Sequence, residues 1–506
     1  MAGAVLKLGR VARKFRALGG CGKGLPVVLS GARHLQRRVE NTQMRIPRSS
    51  QDDNPMGFFH SLLSLGAVLF LFLMISPLAR GQEGSTPSRD QNLADPAAQN
   101  WNWHLQSTVV GQAHPSFSAQ YTGANSMTPG DSIRDTISVD AMGGVRAWSG
   151  GEFFVDILMW QGYGLSNTLG LAAFPNAEAF RVGKTYPDVS VCRAYLRETV
   201  GFGGEKESTD DAPDDLKGAK DIRRLTFTVG RFSAKDIFDN NAYANDPRTQ
   251  FMNWSLYAND AWDYPADTLG FTSGAAAEFN TRVWSARLGI FQVSKFANGL
   301  RMDWNLTKAW STALEFERRY STRGHTGTLR LMAYDTRAHM GSYQDTIDDP
   351  AISEDIYLTA AYRYKYGFGI NLDQEIRKDL GLFARVGWSD GKNQTYEFTD
   401  VDRTATAGLS FKGASWRRLP DTVGLAVVVN GVSAVHRQYL AAGGLGITVG
   451  DGALDYRSER VAETYYNWQI ANHFWLTFDY QFAQNPAYNH VRGPLNLFAL
   501  RFHTEL

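Results

Sequence analysis

From residue 461 to the end of the chain, side chains alternate in twos between those that suit lipid and those that suit water. Phe474, Leu476, Phe478, Tyr480 and Phe482 share one face of a strand, and Trp475, Thr477, Asp479 and Gln481 share the other. Before them, Ala462, Thr464, Tyr466, Trp468 and Ile470 stand against Val461, Glu463, Tyr465, Asn467 and Gln469, with Ala471-Asn472-His473 as the turn between. The last stretch sets Phe498, Leu500, Phe502 and Leu506 against Arg501, His503 and Glu505. Successive side chains of a strand point to opposite faces, so each segment has one greasy side and one wet side. A half-buried soluble sheet shares that pattern. The aromatic bias and the length decide between them, because a membrane-crossing barrel strand needs about 9–11 residues of such alternation.

The first 81 of the 506 residues are of a different kind. Residues 62–78 are nearly continuous apolar sequence, followed by Ala79-Arg80-Gly81, a small-x-small cleavage pattern, and then a polar stretch. This predicts a signal peptide over 56–81 rather than a retained membrane anchor. Residues 1–55 hold eleven Lys or Arg and three Asp or Glu, too long for an ordinary positive region. A mis-assigned start at Met44 or Met56 is favoured over an organelle transit peptide. Residues 82–100 form an expected flexible periplasmic leader, and 101–506 one barrel domain. Without residues 1–81 the chain keeps 40 basic and 48 acidic side chains, an acidic balance that gives no nucleic-acid surface. Cys192 is then its sole cysteine, which rules out an intrachain disulfide.

No apolar run after residue 81 reaches the ~18 residues that a helical span requires. Only barrel closure satisfies every backbone group of a sheet in lipid. The expected fold is therefore all-β: a transmembrane antiparallel up-and-down barrel of about 16 strands. Expected strands include Ile137–Trp148, Phe153–Trp160, Val189–Thr199, Leu225–Phe232, two within Gly270–Val293, Leu314–Tyr320, Leu329–Tyr334, Phe368–Ile376, Leu382–Trp388, Ala405–Phe411 and Val423–Val432. Short connections such as Arg377-Lys378-Asp379 belong on the periplasmic side, and long ones such as Gly443–Arg460 and Gln484–Gly493 outside. Two connections, Gln161–Asp188 and Ser233–Leu269, are long enough to be functional and to fold into the lumen.

Several long stretches, in order, resemble the carbohydrate-selective (OprB-type) porins of Gram-negative outer membranes. They are Ser107–Met127, Glu152–Pro175, DIFDNNAYANDPRTQFMNW (Asp236–Trp254), AWDYPADTLGFT (Ala261–Thr272), GDGALDYRSERVAETYYNWQI (Gly450–Ile470) and Phe478–Leu506. The resemblance implies an outer-membrane channel of about sixteen strands that passes monosaccharides such as glucose by diffusion, without energy coupling. It implies carbohydrate solutes, outer-membrane lipid and, during biogenesis, the barrel assembly machinery as partners. A homotrimer and a monomer are both open, and no cofactor or metal is implied. The chain departs from the usual terminal Phe by ending in Leu506.

Sugar selection in water needs weak, repeated contacts. On Val189–Thr199 the period of two places Arg193, Tyr195 and Arg197 inward and Cys192, Ala194 and Leu196 outward. The two guanidinium forks can hydrogen-bond sugar hydroxyls, or pair structurally with Glu198 or a loop carboxylate. Loop Ser233–Leu269 adds Arg248, Trp254, Trp262, Asp239 and Asp263 as constriction candidates. Its aromatics are expected mostly to pin the loop to the wall. Arg385, Arg501, His503, Glu463 and Asp479 are generic wet-wall residues. The acidic run Thr209–Asp215 lacks the liganding period of a calcium loop and is expected to be a solvated extracellular loop.

Rival readings fare worse. A barrel enzyme lacks any Gly-x-Ser-x-Gly elbow or HExxH pair. A soluble sugar-binding protein would not carry apolar outer faces to its last strand. A less selective porin for small polar solutes shares every feature but the resemblance. An energy-coupled receptor, with a plug inside a 22-stranded barrel, has too little chain.

Overall fold

The computed structural model describes residues 98–178, 183–352 and 355–506. The extension, the signal peptide and the leader up to residue 97 lie outside the described residues. The strands are β1 (Trp101–His114), β2 (Ser132–Trp148), β3 (Gly151–Tyr163), β4 (Gly183–Gly201), β5 (Lys206–Thr209) and β6 (Gly218–Asp221). They continue with β7 (Arg224–Phe232), β8 (Thr272–Asn280), β9 (Trp284–Phe291), β10 (Trp310–Thr322), β11 (His325–Met340) and β12 (Ala361–Arg377). The last six are β13 (Leu380–Ser389), β14 (Arg403–Lys412), β15 (Thr422–Gly431), β16 (Glu459–Ala471), β17 (Phe474–Gln484) and β18 (Leu495–Glu505).

Sixteen of these close into one antiparallel barrel, and β5 and β6 pair apart from it. Closure joins the first strand to the last, with Gln106 opposite Glu505 and Ala113 opposite Phe498. Every neighbour is a sequence neighbour once the β5–β6 hairpin is set aside, so the barrel is up-and-down. At one rim the connections are mostly two or three residues long. Arg323 and Gly324, both with positive φ, join β10 to β11, the backbone a two-residue hairpin turn demands. The opposite rim carries the long loops, which makes the tight rim periplasmic.

The period of two persists in the folded chain. Phe498 and Leu500 are about half exposed on the outer surface, whereas Arg501 and His503 are buried within the barrel. Trp101, Trp103, Trp148 and Trp468 lie exposed near the periplasmic ends of their strands, and Tyr186, Tyr364 and Tyr366 near the other ends. Two aromatic girdles of this kind match the headgroup levels of a bilayer.

Three expectations are corrected. Cys192 is fully buried inside the barrel beside Leu158 and Phe271, not on its outer face. Asp156 pairs with Arg193 and Ile157 with Val191, so Cys192 is the extra residue of a β-bulge that resets the parity of β4. The connection expected over Gln161–Asp188 is shorter, because β3 runs on to Tyr163 and β4 begins at Gly183. The acidic run Thr209–Asp215 follows β4 at the periplasmic rim and is held against the barrel, not free outside.

Candidate functional site

The loop between β7 and β8, residues 233–271, turns inward. Its backbone polar groups still require partners, and wall side chains supply them from distant strands. On β13 the fully buried Arg385 donates to the carbonyls of Leu256 (2.9 Å) and Ala244 (2.7 Å). On β18 Arg501 donates to the carbonyls of Gln250 (2.9 Å) and Pro247. On β16 the Glu463 carboxylate accepts from the backbone amides of Met252 (2.6 Å) and Asn253 (2.9 Å), and Asn467 donates to the Thr249 carbonyl. On β14 Thr406 donates to the Ser255 carbonyl.

Asp239 is the loop's own polar anchor. Its carboxylate accepts from Arg385 Nε (3.2 Å), Asn371 Nδ2 (2.6 Å) and the Asn259 amide (2.8 Å), while its amide donates to Glu315. It takes a left-handed backbone (φ 57°), a conformation that Asp tolerates better than most residues. Burial alone would raise the Asp239 carboxyl, but Arg385 and Lys235 hold it below its ordinary value. Asp263 is fixed in the same way, accepting from the amides of Tyr396 and Glu397 and pairing with Lys365 at 3.0 Å.

The loop aromatics form the pinning core. Trp254 stacks on Tyr264 with centroids 5.9 Å apart, Tyr264 stacks on Phe398, and Phe238 meets Trp262 and Phe291 edge-on. Each such pair contributes about 0.5–1.5 kcal/mol beyond area burial. Trp254 and Trp262 are 3% and 4% exposed, so neither presents a face to water. Asp239 and Asp263 are buried as well. These four candidates hold the loop. Tyr195 is also buried, stacked on Phe154.

Arg193 and Arg248 differ. Residues 245–250 of the loop are partly exposed, held by β16 and β18 through their carbonyls and by β2 through Arg248. Arg193 grips the loop's Asp236 with both ends of its fork (Nε 2.8 Å, Nη2 2.7 Å) and Asp156 on β3 with Nη1 (2.6 Å). Arg248 reaches from the loop to Asp140 on β2 (2.5 Å) and to Glu178 (3.4 Å). Burial opposes the charge on Arg248, yet Asp140 and Glu178 keep it above its ordinary value. Four carboxylates and two guanidiniums thus meet on one rim. Asp140 Oδ1, Asp156 Oδ1 and Glu178 Oε2 are buried beneath the guanidiniums and have no hydrogen-bond partner among the described residues. A guanidinium has five N–H donors; among the described residues Arg193 spends three here and Arg248 two, and both side chains are partly exposed.

Arg197 stands apart from this rim. Four residues further along β4, it pairs with Glu152 (3.5 Å) and Asp215 (3.2 Å) and lies over the Phe154 ring. Glu198 bonds Trp148 instead. Reading from sequence passed over Asp140, Asp156 and Glu178. A signal existed for two of them: each is an acid at inward parity flanked by apolar residues, as with Asp156 between Val155 and Ile157.

The family model of carbohydrate-selective porins, OprB family, matches residues 124–506. Among solved structures, the high-pH structure of Pseudomonas putida OprB is similar at 17% identity and a TM-score of 0.61, covering 80% of this chain and 94% of that one. The outer-membrane channel DcaP of Acinetobacter baumannii is similar at 9% identity and a TM-score of 0.45, covering 81% and 98%. No curated protein sequence matches the chain.

Proposed function

The chain belongs to the OprB family of carbohydrate-selective porins, and on that premise we propose that the rim built by Arg193 and Arg248 is where it selects monosaccharide-sized sugars, such as glucose. The protein is a carbohydrate porin of the bacterial outer membrane, a channel rather than an enzyme. Solutes pass it by diffusion, and no element of the mechanism requires energy.

A sugar hydroxyl both donates and accepts. The partly exposed guanidiniums of Arg193 and Arg248 meet the accepting side and the partly exposed Asp236 carboxylate meets the donating side, while the buried Asp140, Asp156 and Glu178 hold the two guanidiniums in place. This pairing of two partly exposed guanidiniums with a partly exposed carboxylate on one rim carries the proposal. Each bond exchanges a water for a hydroxyl at a net gain of about 0.5–1.5 kcal/mol, weak enough to release the solute. The acids outnumber the guanidiniums, so the rim favours neutral and cationic solutes over anions. Trp254 and Trp262, sealed in the loop core, contribute shape and not a stacking surface.

Insertion by the barrel assembly machinery belongs to the same reading, supported by the outward row Phe498, Leu500 and Phe502 on the last strand.

Single-channel recording of the purified chain in planar bilayers tests the proposal. Monosaccharides added to the bath should reduce the ion current reversibly and permeate faster than disaccharides. Equal passage of both, with no sugar-dependent change in current, would favour the general porin for small polar solutes.

A further inference from the structure

The connection between β4 and β7, residues 202–223, lies at the periplasmic rim but is no ordinary turn. It carries the β5–β6 hairpin, and the residues between those two strands bind the inner face of the barrel. Asn102 Nδ2 on β1 donates to Asp211 Oδ1 (2.9 Å) and to the carbonyls of Ala212 (2.9 Å) and Asp215 (3.1 Å). The Gln99 amide donates to the Lys217 carbonyl (2.9 Å). On β4 Arg197 pairs with Asp215 and donates to the Asp214 carbonyl. Lys220 binds Asp215 at 2.6 Å. Leu216, fully buried, joins the cluster that contains Phe154 and Tyr195.

Asn102, Glu152 and Arg197 face inward, so the turn sits in the barrel mouth and not beside it. Asp210, Asp211 and Asp214 remain exposed there. Glu152 pairs with Arg197, and Asp156 with Arg193, on the same two strands. Four residues of strand separate the two pairs, about 13 Å at 3.3 Å per residue. A solute leaving the Arg193–Arg248 rim along the β2–β4 wall meets this acidic turn next.

We propose that residues 210–217 form a second selectivity element at the periplasmic mouth, in series with the first, seated by Arg197 and repelling anionic solutes such as phosphorylated sugars. The inference rests on the porin reading of the barrel. Fixed negative charge in a narrow, partly desolvated mouth raises local cation concentration and lowers that of anions. Arg197 is a positioning residue here: it holds the Asp214–Asp215 backbone and leaves the outer carboxylates to face the path.

The test uses the full chain in planar bilayers under a KCl gradient. Asp210→Asn with Asp214→Asn removes charge while keeping the Asn102, Lys220 and Asp215–Arg197 contacts. It should lower the K+/Cl− permeability ratio by about twofold or more and change conductance less. Replacing residues 210–217 with a short Gly-Ser turn should raise conductance by about twofold or more, with Arg197→Ala intermediate. If the shortened chain loses its heat-modifiable folded band, the double Asn variant decides alone. An unchanged permeability ratio in that variant overturns the proposal. When Arg248→Ala still alters sugar block, the porin reading survives that outcome. A wild-type chain that gives no channel current would instead remove the porin reading itself.

Discussion

Arg193 holds Asp236 through both ends of its guanidinium fork, at 2.7 and 2.8 Å, so wall strand β4 and the inward loop share one charge-assisted contact. The same guanidinium reaches Asp156 on the neighbouring strand, which makes it the joint between β3, β4 and the loop.

Replacing Arg193 with Ala is expected to weaken sugar block of the ion current by roughly 2- to 13-fold, the loss of one hydrogen bond worth about 0.5–1.5 kcal/mol. It should also increase cation preference, because Asp156 and Asp236 lose their countercharge. Arg193→Lys should restore the charge but not the bidentate geometry. Sugar titration and reversal potentials on the three proteins check this; equal sugar block in all three removes Arg193 from the site.

Leu500 and Arg501 are neighbours with opposite duties. Leu500→Arg places a charge in lipid at a cost of about 2–4 kcal/mol and is expected to reduce the yield of folded barrel. Arg501→Leu should fold, but it orphans the carbonyls of Pro247 and Gln250, at about 1–3 kcal/mol for each buried group left unpaired. Its channels should show higher or noisier conductance. Heat-modifiable migration reads the first effect and single-channel traces the second. Equal loss of folded barrel in both variants contradicts the register.

Breaking the Asp239–Arg385 pair leaves a buried charge without its partner. Arg385→Met alone is expected to destabilise the loop by about 3–5 kcal/mol, and adding Asp239→Asn should recover part of that loss. Protease cutting between residues 233 and 271 in detergent-solubilised protein reports it: fast for the single variant, slower for the pair. Additive damage would show that the two residues act independently.

Asp260 introduces a pH dependence. Burial, its largest influence, pushes the carboxyl up to about 7, against the hydrogen bonds from Ser255 and Thr399. Between its ordinary value of 3.8 and about 7, the folded loop keeps a proton that the unfolded chain has released. Stability therefore falls as pH rises through that window and levels off above it, each unit being worth about 1.4 kcal/mol. Asp260→Asn is expected to flatten this slope. Guanidinium unfolding midpoints from pH 4 to 8, compared between wild type and variant, measure it; identical slopes would leave Asp260 without the proton.

Which face each strand shows was readable residue by residue wherever the backbone stayed regular. Phe498 against Arg501 and Val461 against Ala462 came out as the alternation implies. Cys192 did not, because a bulge inserts one residue and reverses parity, and nothing in the side chain itself announces it. The loop candidates divided for another reason. Arg248 and Trp254 are residues of the same loop and both suit a sugar, yet one stays partly exposed and the other is sealed in the core.

By itself the sequence determined the barrel. Two-residue periodicity is a property of the local backbone, lipid on one side and water on the other select its two faces, and closure follows because an open sheet edge in lipid leaves polar groups unpaired. Tertiary structure alone decided how the inward loop is held against the wall. The course of the 233–271 loop is set by Arg385, Glu463 and Arg501, which lie more than a hundred residues further along the chain and act through the loop's backbone. The acidic turn behind β4 entered the periplasmic mouth for the same reason: Asn102 and Arg197 offer partners for its carbonyls that no local pattern of residues 209–215 encodes.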